Sequence, residues 1–194
     1  MGGTFDPVHL GHLTMAASAY EQGGVDEVWF MPSSSPPHKE ASGVADAEDR
    51  LEMVRLAIGG HSAFRLCMLE IERGGTSYTI DTARQLIRLY PEHQFLWIIG
   101  ADMIAYLPNW TSIDELGKLI QFIGVRRPGY EQPLAGLPGP YAAMVQMIEA
   151  PLMDISSTEI RERLQAGEAV DHLLPEPVAA YIRRKGLYGA RTID

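Results

Sequence analysis

Gly2-Gly3-Thr4-Phe5-Asp6-Pro7-Val8-His9-Leu10-Gly11-His12 is the stretch on which the reading of the fold turns. A glycine turn runs here into two histidines at a predicted helix start. Positions i and i+3 share one face of a helix, so His9 and His12 can point together at one anion. Gly11 between them leaves the backbone open to close approach. The free N–H groups of the first helical turn and the helix dipole place a positive pole at the same spot. Two alternatives stay open on these residues. One is a zinc pair, although no third ligand stands nearby and zinc-binding helices favour His at i and i+4. The other is a pair of purely structural histidines.

Outward from that turn, helix-like and strand-like periodicities alternate, the pattern of an α/β fold with parallel strands and crossover helices. A helix is predicted over Leu10 to Glu21 and a short buried strand over Glu27 to Met31, leading into the Ser/Pro loop Pro32 to Lys39, a candidate lid. Asp46 is placed to cap a second helix whose Ala47, Leu51, Val54 and Ile58 share one face and which Gly59-Gly60 ends. Arg50, assigned to the polar side of that helix, reads as a solvated charge. A strand is expected over Phe64 to Ile71 and a helix over Thr79 to Leu89, entered through Ser77-Tyr78-Thr79. The continuous apolar run Gln94 to Ile99 suits a central strand buried on both faces. Asp102 to Trp110 reads as a turn with a short helix, Ser112 to Leu119 as a helix and Phe122 to Val125 as a strand. Pro128 to Pro140 is a long Gly/Pro-rich loop, and Met144 to Glu149 the last strand. A helix starting at Ser156 or Ser157 and another over Glu176 to Lys185 close the chain, the latter with Arg183, Arg184 and Lys185 against its C-terminal dipole.

The 194 residues suit one domain, and 46% hydrophobic with 21% charged residues is an ordinary globular composition. Sixteen basic against twenty-five acidic side chains leave a formal charge of −9, which repels polyanions, so nonspecific binding to nucleic acid or to an anionic membrane is not expected. The most apolar run, Phe95 to Leu107, is interrupted by Asp102 and too short to span a bilayer. The opening residues lack a basic and apolar signal peptide, and the cytoplasm is the expected location. A single cysteine, Cys67, reads as a buried core thiol.

A second cluster is Ile155-Ser156-Ser157-Thr158-Glu159-Ile160-Arg161, with three hydroxyls at a predicted helix N-terminus and a guanidinium one turn in. Alone, it is equally an ordinary N-cap with a capping-box Glu. Together the two clusters supply hydroxyls, backbone amides, two imidazoles and a guanidinium, the donor set a triphosphate needs. Neither a P-loop nor G-x-G-x-x-G is present, which argues against a P-loop kinase and a dehydrogenase of the usual fingerprint.

With GGTFDPVHLGH, Pro36-Pro37-His38-Lys39, Ser77-Tyr78-Thr79-Ile80-Asp81-Thr82, Gly100-Ala101-Asp102 with Trp110, Arg127-Pro128-Gly129 and ISSTEIR in order, the chain resembles the bacterial nicotinate mononucleotide adenylyltransferases. These belong to the nucleotidyltransferase superfamily that carries the HxGH motif. The resemblance covers nearly the whole chain. It implies a Rossmann-like, doubly wound parallel sheet with nucleotides across the carboxyl ends of the strands. It also implies transfer of AMP from ATP to the 5′-phosphate of nicotinate mononucleotide, giving deamido-NAD and pyrophosphate with Mg²⁺. By the same resemblance His12, with His9 beside it, holds an α-phosphate oxygen, and Ser156, Ser157 and Arg161 hold the β- and γ-phosphates. Gly3, Thr4, Phe5 and Asp6 line the turn that accommodates both nucleotides, and Asp102 accepts from a ribose hydroxyl. Lys39 approaches the mononucleotide phosphate, and Trp110 stacks on the nicotinate ring with Thr79 near its carboxylate. No protein ligand to the metal is named, and a homodimer is often seen in the family. Family members enter the glycine turn from a short apolar strand. Only Met1 precedes Gly2 here, so that strand is expected to be truncated and the natural polypeptide to begin upstream. A pantetheine-phosphate adenylyltransferase and a non-catalytic nucleotide-binding regulator are the alternatives.

Overall fold

The computed structural model describes residues 1–34, 44–126, 134–151 and 153–190. Its strands are β1 (Gly2–Gly3), β2 (Val28–Pro32), β3 (Phe64–Leu66), β4 (Leu96–Gly100), β5 (Gln121–Val125) and β6 (Val145–Ile148). Between and after them run helices α1 (Leu10–Gln22), α2 (Ala47–Ile58), α3 (Leu69–Arg73), α4 (Thr79–Leu89), α5 (Ala101–Tyr106), α6 (Ile113–Leu119), α7 (Gly139–Ala142), α8 (Ser157–Gln165) and α9 (Glu176–Lys185). Every described ladder is parallel, in the orders β1-β2-β3 and β4-β5-β6. The ladder is thus divided between β1 and β4. The two-residue β1 pairs with Met31 and Pro32 of β2, and on its other side Gly2 lies against the Trp97 ring of β4, where an added Cβ would sit 3.0 Å from the ring.

Alternation along the strands feeds two cores, as a doubly wound sheet requires. Phe30, Ile98 and Ile123 face a core shared with α1, α2, α8 and α9, while Met31, Trp97, Ile99 and Phe122 face one shared with α4, α5 and α6. Burial on both faces explains the unbroken apolar run of β4. α4 begins and ends where predicted because Ile80, Ala83 and Leu86 form one buried stripe. α9 likewise buries Val178, Ala179, Tyr181 and Ile182 and stops at Gly186 in the left-handed region (φ 63°).

The strand expected over Phe64 to Ile71 is shorter. β3 ends at Leu66, the Cys67 N–H makes a last bond to the Phe30 carbonyl at 2.8 Å, and α3 follows, buried through Leu69 and Glu70. A short apolar run fits either period, and Gly74 at φ 68° supplies the stop that lets it close as a helical turn. Cys67 is accordingly half-buried rather than sealed in a core. In the loop expected over Pro128 to Pro140, residues 127–133 lie outside the described residues, and α7 occupies its end. Residues 35–43, with Lys39 and most of the expected lid, also lie outside them. Among the described residues no helix is long and apolar enough to cross a membrane.

Candidate active site

Because the strands are parallel, the segments leaving their carboxyl ends converge on one edge: the turn after β1, Arg126 after β5 and the segment from β6 to α8. At the first of these Phe5 takes a left-handed backbone (φ 50°), a conformation that costs a non-glycine residue about 1 kcal/mol or more. Its ring is 2% exposed, packs edge-on against His12 at 5.0 Å and covers Gly3, where a Cβ would meet the ring at 3.2 Å. Gly3 is required by that close approach.

His9 sits just before α1 with extended backbone, and its N–H donates to His12 Nδ1 at 3.2 Å. The two rings lie 3.7 Å apart, tilted by 31°. A Cβ on Gly11 would stand 3.1 Å from the His9 ring. The glycine of H-x-G-H is therefore explained by the histidine ring lying over it. With Nδ1 of His12 accepting, the neutral ring carries its proton on Nε2, a single directed donor. His9 itself is 4% exposed.

α8 docks its N-terminus onto this turn. Ser156 is the N-cap and accepts from the Glu159 N–H at 3.1 Å, so its own O–H remains able to donate. Ser157 donates to the Pro7 carbonyl at 2.9 Å and so commits its proton to the protein. As placed, Ser157 is a docking residue whose hydroxyl proton is not available to a phosphate. Arg161 turns inward as well: Nη1 donates to the Asp6 carbonyl at 2.8 Å and lies 3.6 Å from Asp6 Oδ2.

Asp6, expected among the substrate-binding residues, is fully buried. Its Oδ1 accepts from the Ala45 N–H at 3.0 Å and from the Tyr188 hydroxyl at 2.5 Å. A carboxylate so enclosed holds the protein around the turn. Burial and the Asp6 charge push the Tyr188 phenol well above its usual range, so it remains a donor. Tyr188 itself is left-handed (φ 55°), in the short 3₁₀ turn Leu187–Gly189.

Arg50 is 2% exposed, and its reading as a solvated charge is corrected. Nη1 donates to the carbonyls of Thr4 (2.9 Å) and Ser33 (2.8 Å), Nη2 to that of Ser34 (3.1 Å) and Nε to that of Ala45 (3.2 Å). One guanidinium thus ties the turn, the exit of β2 and the entrance of α2 together. Burial lowers its pKa, with Asp6 and Tyr188 opposing the shift. The buried face of α2 is Arg50, Met53, Val54, Ala57 and Ile58, a helical stripe beginning with the arginine. That spacing was the available signal. For Tyr188 the only local sign is the pair of glycines flanking Leu187-Tyr188.

Gly3, Thr4, Phe5, Asp6, His9, His12, Ser156, Ser157 and Arg161 are thus brought together. A small cavity of about 20 Å³ beside them is lined by His9, Gly11, Thr14, Arg126 and Ile155. Thr79, Asp102 and Trp110 stand on other elements. Thr79 is half-buried at the start of α4, and Asp102 is exposed in the first turn of α5, beyond the carboxyl end of β4. Trp110 is half-buried, edge-on to Phe122 at 5.7 Å. A larger cavity, about 480 Å³, lies away from His9 and His12, between β2 and β4, bordered by Met1, Trp29, His93, Phe95 and Trp97.

A doubly wound parallel architecture with a glycine turn, a paired-histidine helix start and a serine-capped helix facing it defines a nucleotide-binding Rossmann-like class. The cytidylyltransferase-like family model matches residues 1–163. The chain is 47% identical over 187 residues to the nicotinate-nucleotide adenylyltransferase of Bacillus subtilis, covering 96% of this chain and 95% of the relative. It is 49% identical over 191 residues to a Geobacillus thermodenitrificans protein named "Probable nicotinate-nucleotide adenylyltransferase", covering 98% and 85%. Among solved structures, that of Plasmodium falciparum nicotinic acid mononucleotide adenylyltransferase complexed with NaAD superposes with a TM-score of 0.80 at 20% identity, over 97% of this chain and 95% of that one. The chain belongs to the cytidylyltransferase-like family and, within it, to the nicotinate-nucleotide adenylyltransferases.

Proposed function

We propose that residues 1–194 form one nucleotidyltransferase domain that moves AMP from ATP to the 5′-phosphate of nicotinate mononucleotide, giving deamido-NAD and pyrophosphate in NAD biosynthesis. The observation that carries this is near-half identity along almost the full chain to the Bacillus subtilis enzyme of that name. The glycine turn, H-x-G-H and serine-capped helix stand together in support.

The attacking phosphate is already a nucleophile at neutral pH, so the protein need only align it and stabilise charge on the leaving pyrophosphate. In this reading the Nε2–H of His12 donates to an α-phosphate oxygen as charge grows, and His9 fixes the ring. Gly3, Thr4 and Phe5 shape the floor under ATP, Asp102 accepts from a ribose hydroxyl, and Trp110 and Thr79 meet the nicotinate. Lys39 meets the mononucleotide phosphate. The Ser156 hydroxyl, the first N–H groups of α8 and the outer edge of Arg161 take the β- and γ-phosphates. Mg²⁺ is the proposed ion. It dehydrates reluctantly, so it would be held chiefly by phosphate oxygens and water, where it would offset phosphate charge. A cytoplasmic location and a homodimer belong to the same proposal.

The test is pyrophosphate release with Mg-ATP and, in parallel, nicotinate mononucleotide, nicotinamide mononucleotide or phosphopantetheine. Preference for the first is expected; preference for phosphopantetheine, or ATP binding with no release from any of the three, would overturn the reading.

A further inference from the structure

Tyr188 stands 182 positions from Asp6 in the chain, yet its hydroxyl makes a 2.5 Å bond to that carboxylate. Of the three non-glycine residues with positive φ among the described residues, two, Phe5 and Tyr188, belong to this one turn and its partner. Backbone strain kept at a tightly packed site is a pointer to function. The bonds form a relay. Tyr188 and the Ala45 N–H occupy Oδ1 of Asp6, leaving Oδ2 facing Arg161 Nη1 at 3.6 Å while the Asp6 carbonyl takes the same nitrogen at 2.8 Å. Asp6 therefore holds Arg161 through one nitrogen, while Nη2 donates to Thr158 Oγ1 at 3.4 Å on the exposed side, and the side chain keeps 16% of its surface exposed. Oδ2 has no hydrogen-bond partner of its own, so the carboxylate has spare capacity that it does not spend on a two-toothed grip of Arg161.

We propose that Tyr188 is a positioning residue for the triphosphate: by occupying Asp6 Oδ1 it fixes the rotation of the carboxylate, so that Asp6 grips Arg161 through Nη1 alone and the Nη2 edge beside Thr158 stays open to an anion. Without the hydroxyl only the Ala45 N–H holds Oδ1, and the carboxylate can turn to take the guanidinium with both oxygens, withdrawing it from the anion. This inference rests on the reading that Arg161 serves the ATP side.

The test compares Tyr188→Phe, which keeps the ring, with the wild type, Arg161→Lys and the double variant. Calorimetry gives the Kd for ATP without turnover, steady-state kinetics give KM for ATP and for nicotinate mononucleotide, and thermal melting reports folding. In Tyr188→Phe the ATP Kd and KM are expected to rise about tenfold, the worth of about one charge-assisted hydrogen bond, with KM for the mononucleotide within about twofold. The double variant should bind ATP no more weakly than Arg161→Lys alone, because both changes remove the same grip. Additive losses, an unchanged ATP Kd, or a fall in kcat that merely follows a lower Tm would overturn the proposal. Asp6→Asn keeps acceptors for Ala45 and Tyr188 but removes the charge that competes for Arg161, and is expected to leave the ATP Kd at or below the wild-type value; weaker binding would count against the relay. Absence of turnover in the wild type would count against the adenylyltransferase reading while the calorimetric comparison still decides this one.

Discussion

Replacing Arg50 with alanine removes the donor for four carbonyls at once, those of Thr4, Ser33, Ser34 and Ala45, at 2.8 to 3.2 Å. A bond from a charged donor contributes about 1.5–3 kcal/mol, and a buried acceptor left bare costs about 1–3 kcal/mol. Four such bonds do not add. Burial lowers the arginine's pKa, so part of their worth already offsets desolvation, and some of the freed carbonyls will find water. What remains is the range for breaking a buried charged network, about 3–5 kcal/mol, a large share of the roughly 5–15 kcal/mol of a whole domain. Arg50→Lys restores charge but presents one ammonium in place of a planar fork, and so recovers only part. Urea unfolding monitored by circular dichroism measures both. Activity of the alanine variant should fall further than its folded fraction, because Thr4 loses its anchor. A loss below about 1 kcal/mol, typical of a surface substitution, would refute the reasoning.

Other substitutions probe the turn and the neighbouring core. His12→Ala should lower kcat by about 100-fold with little change in ATP affinity, as a group that acts in the transition state does; equal losses in both, by kinetics and calorimetry, would contradict that role. Gly11→Ala puts a methyl 3.1 Å from the His9 ring, which must then give by a few tenths of an ångström. Such a shift should lower kcat about 3- to 10-fold while the melting temperature barely moves. Glu70 is 4% exposed, accepts from Thr82 at 2.7 Å, and has its carboxyl raised chiefly by burial above the ordinary value of 4.5. Its folded form therefore holds a proton that the unfolded chain has released, so this group's contribution to stability declines as pH rises from about 4.5 through the raised value. Glu70→Gln should gain on the wild type as urea midpoints are taken from low to neutral pH; a constant difference would refute it.

Strong periodicity made most elements legible. α4 and α9 were readable to the residue because each buries a regular stripe and ends against a clear stop. Phe64 to Ile71 was not, since an apolar run of that length satisfies both periods and the turn into α3 depends on Phe30 taking the Cys67 N–H. In the site, H-x-G-H announced paired imidazoles, but not that Gly11 is small for the sake of His9. Arg50 was misread because charge outweighed position; its spacing to Met53, Val54, Ala57 and Ile58 was that of a core residue. The inward turn of Asp6 and the reach of Tyr188 depend on contacts between distant segments, which no local pattern encodes.

The most direct measurement follows the label. With Mg-ATP labelled at the α-phosphate and nicotinate mononucleotide as acceptor, the label should appear in a dinucleotide of the mass of deamido-NAD, while label at the γ-phosphate should leave as pyrophosphate. Label from the α-position found only in free AMP or ATP, or γ-label transferred to the mononucleotide, would contradict adenylyl transfer by this protein.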